Sequence, residues 1–209
     1  DGRGSARCNE TFMKITAKLG EFFQVFCSFL LVFNNQENGG KQMQPKLIIL
    51  RGNSGSGKTT IAKALHRCLK EQSLLISQDV VRREMLRVKD KTGNLSIALL
   101  KQLVAFGYQE CQYVIVEGIF QKAIYHSFFQ EMNHLFEGNV QVYYFDISFE
   151  ETLKRHSQRN KNQEFGVVEM KRWWLPEDYL GLAGEQRLSE QLSEKQIIRQ
   201  ILDRKSTRL

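Results

Sequence analysis

Residues 46–51 read KLIILR, a short β-rich apolar run. They feed directly into Gly52-Asn53-Ser54-Gly55-Ser56-Gly57-Lys58-Thr59, which satisfies the pattern GxxxxGK[ST]. This Walker A octet constrains the fold more than any other feature, because it needs a strand before it and a helix after it. Glycines at 52, 55 and 57 allow backbone conformations closed to residues with a Cβ, so successive amide N–H groups can turn inward around a phosphate. The following TTIAKALHRCLKEQ predicts a helix from about Lys58, whose dipole adds positive potential at the same place. Lys58 is expected to reach the β- and γ-phosphates of a nucleotide, and the Thr59 hydroxyl to ligate Mg²⁺. Asn53, Ser54 and Ser56 complete the loop. Thr60 is grouped with them, although its simpler role is as a residue of the helix.

A chain of 209 residues with 42% hydrophobic content and two prolines is long enough to bury one core. Thirty Lys and Arg against 23 Asp and Glu leave +7, which favours anionic partners without choosing among them. No apolar run reaches the roughly 18 residues that a membrane-spanning helix needs, which excludes a helical membrane protein. Cys8, Cys27, Cys68 and Cys111 form no CxxC pair and lack histidine at metal-site spacing. Reduced thiols in a cytoplasmic protein are the expectation.

Residues 22–33, FFQVFCSFLLVF, follow Lys14 and Lys18 and superficially resemble a secretory signal. Glu21 abuts the run, and NNQENGG offers no small-x-small cleavage site. Asn38 to Gln42 can be encoded by a purine-rich stretch resembling a ribosome-binding site ahead of Met43. The expectation is therefore a non-native or leader-derived extension over 1–42, a functional domain over 43–203 and a tail over 204–209.

Among P-loop classes, a GTPase needs a guanine-reading NKxD, and Asn160-Lys161-Asn162-Gln163 lacks the aspartate. Motor and transporter ATPases need far more chain, whereas a small kinase fits the size. Downstream the pattern alternates: strands at 73–77, 113–117, 140–146 and 185–188, helices at 94–112, 123–136, 150–158 and 193–202. This predicts an α/β fold of P-loop NTPase type, with a five-stranded parallel sheet, helices on both faces and ligands at the carboxyl ends of the strands.

Asp79 falls just beyond the second strand, where a carboxylate can accept the proton of an attacking hydroxyl. Its simpler role is N-cap of a helix over 80–86. Arg82, three residues on, shares its helix face and can grip an anionic acceptor; Arg83 and Arg87 read as solvated. Glu117 ends YVIVE and is the preferred Walker B acid for Mg²⁺. Asp146, at the end of VQVYYFD, is its rival and can instead cap the helix starting near Glu150. Arg159 and then Arg155 are the candidate lid arginines that neutralise charge on the transferred phosphoryl group; an ordinary basic helix end is the plainer reading. His156 reads as a surface histidine, and Trp173 and Trp174 as lid or core packing near Asp178.

Together GNSGSGKT, QDVVR, VIVEG and YFDISFEETLKRHSQR resemble the P-loop kinases of the zeta-toxin, chloramphenicol phosphotransferase and polynucleotide 5′-kinase group. FGVVEMKRWW with LPEDYLG is similar to bacterial AAA-type ATPase or kinase proteins. The resemblance covers nearly all of 43–203. It implies ATP and Mg²⁺ as cofactors and phosphoryl transfer to a hydroxyl, with Asp79 as acceptor-side base and Arg82 on an acceptor phosphate. The sugar-nucleotide elements of a zeta toxin and the phosphatase domain that often accompanies polynucleotide kinases are not found. The leading expectation is thus an ATP-dependent phosphotransferase acting on a small molecule. A 5′-hydroxyl nucleic-acid kinase, or an ATP-binding switch or toxin-like module acting on a protein partner, stand as alternatives.

Overall fold

Apolar residues at every position from Leu47 to Leu50 make a strand buried on both faces, as expected at the centre of a parallel sheet. A computed structural model describes residues 44–69, 72–157, 166–182 and 184–203. In it β1 (Lys46–Gly52) lies between β3 (Tyr113–Gly118) and β4 (Val140–Asp146), with β2 (Ser73–Ser77) and β5 (Gln186–Ser189) outside them. The order is β2-β3-β1-β4-β5, and every pairing is parallel. The predicted fold class is the observed one.

Alternate residues of β1 serve the two faces. Ile48 and Leu50 pack with Ile61 and Leu65 of α1 (Lys58–Leu69) and with Ile197 and Ile201 of the last helix. Leu47 and Ile49 pack with Leu100 and Val104 of α2 (Leu95–Glu110) and with Phe128 and Phe129 of α3 (Lys122–Leu135). Helices therefore cover both faces. The remaining ones are α4 (Phe149–Ser157), α5 (Val167–Trp173) and α6 (Glu194–Asp203). No helix among the described residues is long and apolar enough to cross a membrane.

The five predicted strands and the helices expected at 94–112, 123–136, 150–158 and 193–202 are observed with ends within two residues of the expectation, whereas α5 was not predicted and α1 is described only to Leu69, short of the expected Gln72. Local chemistry sets several of these ends. Asn94 stands outside α2 as its N-cap, accepting from Ser96 N at 3.0 Å. Gly107 within α2 lets the helix press on the sheet, since a Cβ there would lie 2.6 Å from the Val114 side chain.

The predicted helix over 80–86 is instead a π-helical stretch, Val80–Met85, in which Leu86 N donates to Val81 O at 3.1 Å. Asp79 is already helical there (φ −65°, ψ −38°), and its side chain makes no capping bond. The N-cap reading is therefore corrected: the carboxylate is turned to two arginines.

Candidate active site

The carboxyl ends of β1, β2 and β3 gather most of the predicted residues. Gly52 closes β1 opposite Phe145 of β4, at φ +140°, and a Cβ on it would lie 2.8 Å from Phe145 O. Only glycine lets the chain leave the strand here. After the loop, α1 opens at Lys58, whose buried Nζ reaches back to donate to Asn53 O at 2.7 Å and Ser56 Oγ at 3.2 Å. Arg155 arrives from α4. Its Nη1 donates to Ser56 O at 2.9 Å and its Nε to Glu151 Oε1 at 2.8 Å. That hydrogen bond from Arg155 is the main reason the Glu151 carboxyl lies below its ordinary range.

Glu117 is buried at the end of β3 and accepts from Thr59 Oγ1 at 3.1 Å and from Ser77 Oγ at 2.6 Å. Strand pairing explains the meeting, because Ser77 and Glu117 are register partners and Leu50 of β1 faces Glu117 from the other side. Asp146 instead accepts from Tyr179 Oη at 3.0 Å, and Ser148 caps α4 through Glu151 N at 3.3 Å. The capping alternative for Asp146 is thus corrected as well. Ser77 carried no sequence signal beyond its place at a strand end.

No group of three His, Cys, Asp or Glu able to hold a metal exists among the described residues. The Thr59, Ser77 and Glu117 oxygens form a hard donor set with one carboxylate. Such a set suits Mg²⁺, which takes few protein ligands and completes its octahedron with water and phosphate oxygens.

Beyond β2, Arg82 Nη2 donates to Asp79 Oδ1 at 3.0 Å, and Arg83 Nε approaches the same oxygen at 3.3 Å. Arg83 is exposed, as expected, and its pair with Asp79 is a solvated one. Arg82 is fixed further by Val88 O at 3.4 Å and by Asp90, 3.9 Å from its Nε. Beneath them buried Gln78 donates to Tyr125 Oη at 2.8 Å and Asp90 Oδ2 at 3.2 Å, and accepts from Phe120 N at 3.3 Å. Burial, then the Asp90 hydrogen bond, raises the Tyr125 hydroxyl above its usual range. Gln78, Asp90 and Tyr125 went unread because their meeting joins residues 12 to 47 apart in the chain.

One further placement departs from expectation. His156 is buried, not a surface group. Thr60 is exposed on the first turn of α1, and Arg159 lies outside the described residues. Among the tryptophans, Trp174 meets Phe149 edge-on at 5.1 Å and lines a cleft of about 400 Å³ with Asn53, Tyr144 and Asp146. Arg172 lies 5.9 Å from the Trp173 ring.

The largest omission is Arg51, the last residue before Gly52. Its side chain is 0% exposed and pairs with Asp178 at 2.8 Å and Glu185 at 3.2 Å. It also donates to Phe120 O at 2.9 Å and lies 5.1 Å from the Tyr144 ring centre. Asp178 takes Lys122 N at 3.0 Å, and Glu185 takes Gly181 N at 3.0 Å, so both carboxylates are satisfied twice over. The available signal was a lone arginine closing an otherwise apolar strand.

Burial around this cluster pushes the Tyr144 hydroxyl up to about 12. An unfolded tyrosine ionises near pH 10, so above that pH the unfolded state binds fewer protons than the folded one. The stability contributed by Tyr144 is complete below about pH 10 and is lost as pH rises toward about 12. Thermal midpoints followed through this window should fall less steeply in Tyr144→Phe; parallel curves would refute the assignment.

Residues 47–173 match the AAA domain family AAA_33. No curated protein matches the chain in sequence. Among solved structures, APS kinase of Mycobacterium tuberculosis, in complex with AMPPNP and APS, is 16% identical over 77% of this chain and 96% of its own, with a TM-score of 0.57. A gluconokinase from Sinorhizobium meliloti 1021 is 15% identical over 77% and 91%, with a TM-score of 0.52. The tunicamycin resistance protein of Deinococcus radiodurans is 17% identical over 75% and 93%, with a TM-score of 0.53. At these identities the likeness is one of fold: a kinase-like P-loop sheet. The family match spans more than half of the sequence, and the chain therefore belongs to the AAA domain family AAA_33.

Proposed function

We propose that this protein is an ATP-dependent phosphotransferase that moves the γ-phosphoryl group of ATP to a hydroxyl of a small molecule. The observation that carries the reading is the convergence of Lys58, Thr59 and Glu117 at one edge of the sheet, with the Asp79–Arg82 pair further along the same edge. A donor nucleotide lies with its β-phosphate in the loop of residues 52–57, its charge met by the backbone amides, Lys58 and Arg155. Thr59 and Glu117 would hold Mg²⁺, which when bound neutralises the β- and γ-phosphate oxygens.

Asp79 receives the acceptor. Both arginine contacts use its Oδ1, so Oδ2 is open to a substrate hydroxyl. The hydroxyl proton goes to Asp79 as the acceptor oxygen bonds the γ-phosphorus; the bond from that phosphorus to the β,γ-bridging oxygen breaks, and ADP leaves. Arg82 grips an anionic part of the acceptor, and Arg159, outside the described residues, is the candidate for neutralising charge on the transferred group. Most of the rate comes from positioning and charge neutralisation.

The test is incubation with Mg²⁺, ATP and a panel of hydroxyl-bearing metabolites, read by mass spectrometry for a product heavier by one phosphoryl group. Asp79→Asn should lose transfer by about 10²-fold or more while keeping ATP affinity. Full transfer by Asp79→Asn would end the base assignment. Including 5′-hydroxyl oligonucleotides in the panel tests the nucleic-acid reading, which demands binding that weakens steeply with salt.

A further inference from the structure

We propose that Asn53 is a positioning residue whose side chain clasps the backbone of Leu175, and that through this clasp the segment 174–185 holds the phosphate loop in its cradle shape. The sequence suggested a nucleotide contact, but the amide turns the other way. Its Nδ2 donates to Leu175 O at 2.7 Å and its Oδ1 accepts from Leu175 N at 3.0 Å, both groups of one residue paired by one side chain that is itself 5% exposed. The carbonyl of the same Asn53 accepts from Lys58 Nζ at 2.7 Å. A backbone rotation at Asn53 that breaks the clasp therefore also moves the oxygen that accepts from the lysine.

The neighbouring residue is held by the same segment. Arg51 is tied to Asp178 and Glu185, so the residues on both sides of Gly52 are gripped from 175–185. Gly52, at φ +140°, is a joint that only glycine makes easily, and ties on both of its neighbours restrict the freedom that glycine adds. The inference concerns the shape of the loop and stands whether or not ATP is the ligand.

Hydrogen–deuterium exchange of the peptide covering 52–60, measured without nucleotide, tests it. Leu175→Pro deletes the N–H that Asn53 accepts without touching the loop, and Trp174 already has the extended backbone (φ −66°, ψ 125°) that precedes a proline comfortably. Leu175→Pro and Asn53→Ala should each speed loop exchange by about tenfold or more, the order expected for losing buried hydrogen bonds. Their double variant should be no faster than the faster single one.

Leu175→Ala, which keeps both backbone groups, should exchange as the parent does. Parent-like loop exchange in Asn53→Ala, additive effects in the double variant, or a Leu175→Ala that behaves like Leu175→Pro would each overturn the proposal. Should Leu175→Pro lose protection throughout the sheet, Asn53→Ala against Leu175→Ala decides. Failure of the kinase reading shows separately, as a parent protein that binds no ATP.

Discussion

Arg51→Met should destabilise the folded protein by about 3–5 kcal/mol, the cost typical of leaving a buried charge without its partner. The methionine fills the volume of the stem, so the loss falls on the charges. Asp178 and Glu185 stay 19% and 7% exposed with no guanidinium between them, and Phe120 O loses its donor. Against a total stability of order 5–15 kcal/mol for a domain, this is about a fifth or more. Urea unfolding at neutral pH measures it, and a change below about 1 kcal/mol would show that the cluster contributes little. Combining Arg51→Met with Asp178→Asn and Glu185→Gln should recover much of the loss, because no bare charge then remains buried.

Lys58→Ala should have the largest effect on chemistry. On the proposed reading the ammonium group meets the β- and γ-phosphates, and removing one such preorganised charge costs about 10²–10³-fold or more in the transfer rate. Lys58 Nζ turns back over the loop to donate to Asn53 O and Ser56 Oγ. Lys58→Arg should not restore the rate, because a planar guanidinium cannot occupy a pocket shaped for a compact ammonium. Product formation and ATP affinity are to be measured together with a thermal midpoint, so that lost folding is not read as lost chemistry. Transfer within tenfold of the parent would remove Lys58 from the mechanism.

What could be read in advance follows the range of the forces involved. Strands 73–77 and 140–146 were delimited to the residue, since a buried parallel strand is a local apolar run with polar ends. The phosphate loop was legible because its pattern is written in closely spaced glycines at 52, 55 and 57. Glu117 next to Thr59 followed from the strand-end rule for this fold, although the pair is 58 residues apart.

The failures are non-local or subtle. A π-helical turn differs from an α-helical one by a single shift in hydrogen-bond partner, which leaves no mark in apolar periodicity, so Asp79 was given a cap it does not make. Arg51 meets Asp178 and Glu185 across 127 and 134 residues, and Asn53 meets Leu175 across 122. Such pairs are decided by how Leu175, Asp178 and Glu185 come to lie against the end of β1, where no repeat or motif guides the eye.

Those separations also set a schedule for biosynthesis. A ribosome adds about 5–20 residues per second, so the 134 residues between Arg51 and Glu185 take roughly 7–27 s to make. During that interval the nascent chain carries an apolar strand ending in an arginine whose two counter-ions do not yet exist. The nucleotide loop, encoded early, is thus among the last parts to become rigid.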